Sequence, residues 1–311
     1  MHTQRFVRLA AFMVTMSCSA YTSPLAQTNG PCPPASWTRE SLRALKDSAW
    51  KLSDASRRER LAFDLLPCLA SADPDLRDGT AFEALSAWMR SDQLAAGQVQ
   101  EIGRDLLPEI EAPARDSAGF VQPFAALVLS EVARVDRLHG ILTAPDRARL
   151  LRAALQYVSS VTDYRGFDGH DGWRHAVAHG ADLLLQLSLN PALGRQELIP
   201  ILTAVGTQAA PAGEHFYVYG EGERLARPVV VLLQRHLVNE AEWSNWIAGL
   251  ATAGPFGTWE RASGTQAGLA RRHNLRQFLL GLYFDLAPLD EGQRGAWRDP
   301  VSRALAAIPV A

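Results

Sequence analysis

The chain has 311 residues, 47% of them hydrophobic, with 31 Lys and Arg against 33 Asp and Glu. A chain this long and this apolar can bury a sizeable core, as one large domain or two small ones. Its formal charge of −2 gives none of the basic surface that nucleic-acid binding needs, and with lysine only at 46 and 51 its positive charge is nearly all arginine.

The N-terminus reads as an address. Arg5 and Arg8 precede an apolar run, Leu9–Met16, and small residues follow at Ser17–Ala20. This is the layout of a secretory signal, and the apolar run is well short of the about 20 residues that span a bilayer. Cleavage after Ala20 or Ala26 fits, and Cys18 lacks the leucine of a lipobox. Residues 1–26 are therefore expected to be a signal peptide, and the protein periplasmic or secreted. Without Arg5 and Arg8, 29 basic residues face 33 acidic ones, a balance near −4. Cys32 and Cys68 then remain as an even pair in an oxidising compartment, so a disulfide tying the N-terminal segment to the first helical layer is expected, with two free thiols as the alternative. No later stretch is apolar enough for a transmembrane segment.

Residues 27–54 are expected to form a Pro-rich leader and a first helix, capped by Ser36 or Thr38, with Leu42, Leu45, Ala49 and Leu52 on its apolar side. Residues 55–311 then read as a single helical-array domain. Its first helix, Ser56–Leu66, stops at Pro67. After Asp73-Pro74, Arg77, Ala81 and Leu85 share one helical stripe, similar to the turn and second helix of a HEAT-type repeat. Further helices are expected near 92–107, 120–138, 144–160, 172–189, 195–208, 222–238, 240–251, 259–286 and 290–307, joined by short turns rich in Gly, Pro, Asp and Asn. Strand-like alternation is absent, and Val229–Val231 lie within a helical period. The fold class is all-α, a curved HEAT-like α-solenoid of about ten to twelve helices.

Unusual chemistry concentrates in Asp163–Asp182. Asp171 is a plausible N-cap, and on a helix starting there His175, His179 and Asp182 fall at i, i+4 and i+7 on one face, extended by Gln186. Val177, Ala181, Leu184 and Leu185 occupy the other face. Two imidazoles one turn apart can bind a divalent metal such as zinc, with Asp182 as third ligand or as the group orienting an imidazole. Ala176, Val177 and Ala178 lie between the histidines, so this helix supplies no general base of its own. The competing reading is a hydrogen-bonded polar stripe. The preceding loop adds Asp163, Arg165, Asp168 and Trp173, with glycines at 166, 169 and 172 that permit close approach of a ligand or simply a tight turn. In Glu214–Arg224, Glu221 or Glu223 could act as a base opposite the histidines, walled by Phe216, Tyr217 and Tyr219; both glutamates also suit the start of a helix. Arg224 and Arg227 could hold an anion or pair with these glutamates. His273 and Asn274, in the basic block Arg271–Arg276, could extend a binding surface. No P-loop, dinucleotide fingerprint or nucleophile elbow is present; Ser263-Gly264 lacks the pattern around it.

The blocks Asp163–Phe167, Gly172–Leu184, Asp73–Asp78, Glu221–Ala226 and Arg272–Phe284 resemble the signature of a bacterial family of uncharacterised proteins, domain of unknown function 2785. The resemblance covers about residues 55–287. It implies an all-helical fold and supplies no activity, since none is assigned to the family. The family's Arg-Ser pair is missing from the segment that reads Phe120–Phe124 here.

Two functions remain. The first is a binding module whose polar cleft grips a small molecule, peptide or glycan. The second is a metal-dependent hydrolase using His175 and His179, with Glu221 or Glu223 as base and Asp182 as ligand or orienter. The missing built-in base favours binding.

Overall fold

The computed structural model describes residues 30–114, 116–288 and 291–310. The expected signal segment, 1–26, lies outside them.

Helix α1 (Arg39–Asp47) starts where Thr38 accepts the Ser41 amide and Ser41 Oγ accepts the Thr38 amide, a reciprocal cap. It buries Leu42 and Leu45 and ends before Ala49 and Leu52, because Ala49 and Trp50 take left-handed φ values of 55° and 61°. Helix α2 (Ala55–Asp64) is capped by Asp54 and passes into a 3-10 turn, Leu66–Ala70, that accommodates Pro67. Cys68 is fully buried in that turn and is bonded to Cys32, as expected, with the two Cα atoms 5.2 Å apart. The HEAT-like block also folds as its stripe predicts. A short α3 (Pro74–Leu76) continues through a π-helical turn, Arg77–Phe82, into α4 (Glu83–Arg90), and Arg77, Ala81 and Leu85 are all fully buried.

The remaining helices are α5 (Ala96–Glu111), α6 (Val121–His139), α7 (Ala144–Ser160), α8 (Ala176–Ser188), α9 (Arg195–Leu198), α10 (Pro200–Ala209), α11 (Glu221–Gln234), α12 (Glu240–Leu250), α13 (Trp259–Ser263), α14 (Gln266–Asp285) and α15 (Glu291–Ala307). They form an all-α array of two rows. In one row α6 packs on α8, α8 on α11 and α11 on α14. These four run parallel. The start of α8 meets the start of α6 at His179 and Pro123, and their ends meet at Gln186 and Arg137. Arg224 meets Asp182 near the start of α11, while Arg235 at its end donates to the Ser188 and Asn190 carbonyls. Gly222 and Gly281 let α11 and α14 approach closely: a Cβ on Gly222 would lie 2.9 Å from the Phe278 nitrogen. Helices α5, α7 and α10 make the second row, with α7 antiparallel to α8 because Tyr157 at its end abuts Ala176 and Gly180.

Three expectations need correction. The helix expected at 172–189 begins only at Ala176, and before it runs a two-residue antiparallel pair, β1 (Phe167–Asp168) with β2 (Gly172–Trp173), where no strand was expected. The helix expected over 259–286 is interrupted at Gly264, where α13 stops; Gly268 packs so tightly that a Cβ would lie 2.1 Å from the Ala262 carbonyl oxygen. The helix expected over 195–208 is split into α9 and α10, with Pro200 opening the second piece. Among the described residues, no helix is long and apolar enough to cross a membrane.

Candidate functional site

At the N-terminal end of the parallel row, two connections meet: the β1–β2 hairpin ahead of α8 and the 211–220 loop ahead of α11. The hairpin pairs Phe167 with Trp173 and Asp168 with Gly172, and continues where Arg174 and His175 donate their amides to the Gly166 and Arg165 carbonyls. Asp168 turns the tip by accepting the His170 and Asp171 amides. Asp171 is therefore not a helix cap. Its carboxylate contacts His170 and Arg174, and both hold it below the usual carboxylate range.

What fixes the hairpin is Arg77. Its fully buried guanidinium donates to the Ser71 and Ala72 carbonyls on one side and to the Asp171 and Trp173 carbonyls, at 2.6 and 3.2 Å, on the other. It pairs with Asp78 and lies 4.0 Å over the Phe120 ring. Arg174 sits over the same ring at 4.6 Å and donates to the Ala118 carbonyl. Gly172 has φ +72°, and a Cβ there would stand 2.9 Å from Pro74, so this contact admits only glycine. Arg165, paired with Asp163, braces the other strand by donating to the Ser117 carbonyl.

His175 takes a left-handed conformation at the helix N-cap, yet its ring stays 5.7 Å from His179, one turn on. Trp173 stacks on His175 at 4.6 Å, and Tyr219 stands edge-on to both rings. His179 Nδ1 faces the Pro123 carbonyl at 3.1 Å, and its ring meets Phe124. Burial, then the positive Arg224, pushes His175 down to about 4. Burial, with His175 and Arg224 adding to it, pushes His179 down to about 3. Both imidazoles are neutral near pH 7, and His175 Nε2 is buried without a hydrogen-bond partner among the described residues.

Asp182 is on the same stripe but is engaged in an ion pair with Arg224 from α11; burial raises its carboxyl, and Arg224 and Arg227 oppose that rise. Glu221 is buried and accepts the Tyr219 amide at 2.9 Å, whereas Glu223 is exposed. His273 and Asn274 hold the loop from below: His273 Nε2 contacts the Tyr217 carbonyl, and Asn274 bonds both the Tyr217 amide and the His215 carbonyl. The anticipated stripe therefore comes together with Trp173, Tyr219 and Arg224. Glu223 stands at the surface, and His273 and Asn274 act on loop backbone. A divalent metal such as zinc would find two neutral imidazoles, but among the described residues no group of three His, Cys, Asp or Glu could hold it.

Sequence reasoning overlooked the bracing by Arg77 and Arg174, although the Asp73–Asp78 block was visible. It also overlooked His215, which stacks on Tyr164 at 5.3 Å, is pushed down by burial, and has a buried Nε2 with no partner among the described residues. Beyond the brace lies a cavity of about 550 Å³, lined among others by Ile110, Asp116, Gln122, Pro123, Tyr157 and Asp163. Of the anticipated site residues only Asp163 reaches it.

Outward, the hairpin and loop present a ledge: Phe167 is 50% exposed, Val218 65% and Tyr219 39%, with Trp173 between them. Fold and site together define an all-helical array that carries a rigid aromatic ledge above two buried, neutral histidines. The chain belongs to the family described as a protein of unknown function (DUF2785), whose model matches residues 106–284. That match contains the hairpin, the loop and all the anticipated site residues, and leaves the Asp73–Asp78 block outside. No curated protein and no solved structure matches the chain.

Proposed function

We propose that this is an exported binding protein that grips a glycan on the ledge formed by Phe167, Trp173 and Tyr219. One observation carries the reading: Phe167 on the braced hairpin and Tyr219 on the facing loop stand exposed with half-buried Trp173 between them, where a soluble surface ordinarily avoids such a cluster. Rings of this kind offer apolar faces to the CH-rich faces of a pyranose, and Asp168, Asp171 and Arg165 around them supply acceptors and donors for its hydroxyls. The Cys32–Cys68 bridge and the signal-like N-terminus support an oxidising destination.

The alternative, a metal-dependent hydrolase with Glu221 or Glu223 as base, has weaker support. Arg224 engages Asp182, Glu221 is tied to the Tyr219 amide, and the two imidazoles lack a third ligand. Titration calorimetry with soluble cello-, chito- and malto-oligosaccharides tests the proposal. Binding by at least one series is expected, and Trp173→Ala/Tyr219→Ala should weaken it by about tenfold or more, the loss of at least 1.4 kcal/mol of ring contact. Absence of heat with all three series, from protein whose melting is cooperative, sinks the glycan reading. Stoichiometric zinc lost in His175→Ala/His179→Ala would favour the alternative.

A further inference from the structure

Below the ledge, the exposed face of α6, α8 and α11 carries a band of arginines. Arg90, at the end of α4, grips buried Glu131 on α6 with two nitrogens. One turn further along α6 comes Arg134, and beyond it Arg137, whose Nε donates to Gln186 on α8 at 2.8 Å. Arg224 pairs with Asp182, and Arg227 follows one turn along α11. Asp182 feels Arg227 and Glu131 as well as Arg224, so these groups form one electrostatic neighbourhood rather than scattered pairs. Arg137 is pulled down by burial and by the adjacent Arg134.

Five guanidiniums thus face two carboxylates across four helices, with Glu223 and Asp285 only at the α14 edge beside Arg227. Arg134 and Arg227 have no hydrogen-bond or ion-pair partner among the described residues. In a chain whose overall charge is −2, such an excess is local. Planar guanidinium forks suit carboxylates. The C-terminal ends of the same parallel helices expose Leu138, Leu189 and Phe284. Arginine beside exposed large apolar side chains is the composition of a protein-binding surface, and a sugar polyanion has no use for the apolar part.

We propose that this band is a docking surface for an acidic segment of a partner protein, separate from the ledge. The band supplies paired charges that set register and uncommitted Arg134 and Arg227 that take incoming carboxylates. Poly-L-glutamate is the probe, titrated against the whole protein by biolayer interferometry. Saturable binding is expected at about 0.05 M salt, weakening at least about tenfold by about 0.3 M as screening shortens. Arg134→Glu/Arg227→Glu should abolish it while the protein still melts cooperatively, because neither side chain makes a hydrogen bond or ion pair among the described residues. Arg303→Glu, an exposed arginine on α15, makes the same kind of charge change and should leave binding intact. Trp173→Ala/Tyr219→Ala should also leave it intact, so failure here and failure of the glycan reading give different results. No binding at low salt, wild-type binding by Arg134→Glu/Arg227→Glu, or tighter binding of chondroitin sulfate than of poly-L-glutamate would each overturn the proposal.

Discussion

Replacing Arg77 by methionine tests whether the hairpin depends on a side chain that lies outside it. Methionine keeps an unbranched apolar stem in the fully buried slot and removes the guanidinium. Four backbone carbonyls lose a donor, at Ser71, Ala72, Asp171 and Trp173, and Asp78 loses its ion-pair partner. Each unsatisfied buried acceptor costs about 1–3 kcal/mol, and breaking a buried pair about 3–5 kcal/mol in all, since the losses overlap and water can enter beside half-buried Asp78. We expect a loss of about 3–5 kcal/mol, which at about 2 °C per kcal/mol for a chain of this size lowers the melting temperature by about 6–10 °C. Calorimetry measures that loss, and amide exchange locates it. The Arg174 and His175 amides, bonded to Gly166 and Arg165, should exchange faster, while the α12 amides change little. Unchanged exchange at Arg174 and His175 would refute the brace, whatever the melting temperature does.

Two further outcomes concern the buried histidines and the disulfide. His175 and His179 have folded-state values near 4 and 3 against about 6.5 when unfolded, so the unfolded chain binds more protons as pH falls. Their contribution to stability is complete above about pH 6.5 and is lost as the pH drops toward 4, by on the order of 3 kcal/mol for each ring. Urea unfolding followed across that range should show a steep slope that His179→Gln flattens; equal slopes in the two proteins would remove burial of a neutral imidazole as the cause. Separately, Cys32→Ala/Cys68→Ala opens a loop with a sequence separation of 36, for which chain entropy gives a loss of about 3–4 kcal/mol. Chemical denaturation measures it, and a loss below about 1 kcal/mol would show that the reduced chain already holds the leader in place.

The long helices were legible because a single period runs through them: a helix was expected near 144–160, and α7 occupies it. The hairpin was not. Its paired strands are two residues each, too short for alternation to register, and its left-handed glycine at 172 answers to Pro74, nearly a hundred residues earlier. The break at Gly264 was missed for a similar reason, since the close contact of Gly268 with Ala262 is tertiary in origin while the flanking sequence keeps helical spacing. In the site, helical geometry sufficed to bring His175, His179 and Asp182 together. The partner that ties up Asp182 is Arg224, on another helix, and no local pattern connects the two. Glu221 looked available as a base because a carboxylate at a helix start gives no sign that a backbone amide two residues earlier will claim it.

Both segments at the ledge are gripped through main-chain atoms. Arg77 donates to the Asp171 and Trp173 carbonyls of the hairpin, and Asn274 and His273 clasp the peptide groups of 215–217. Main-chain grips are indifferent to which side chains the gripped residues carry. Positions 167, 170, 218 and 219 can therefore be exchanged like bits in a fixed chuck, leaving the scaffold untouched while the preference for ligand changes. A library randomised at those positions alone would inherit a folded, pre-oriented frame.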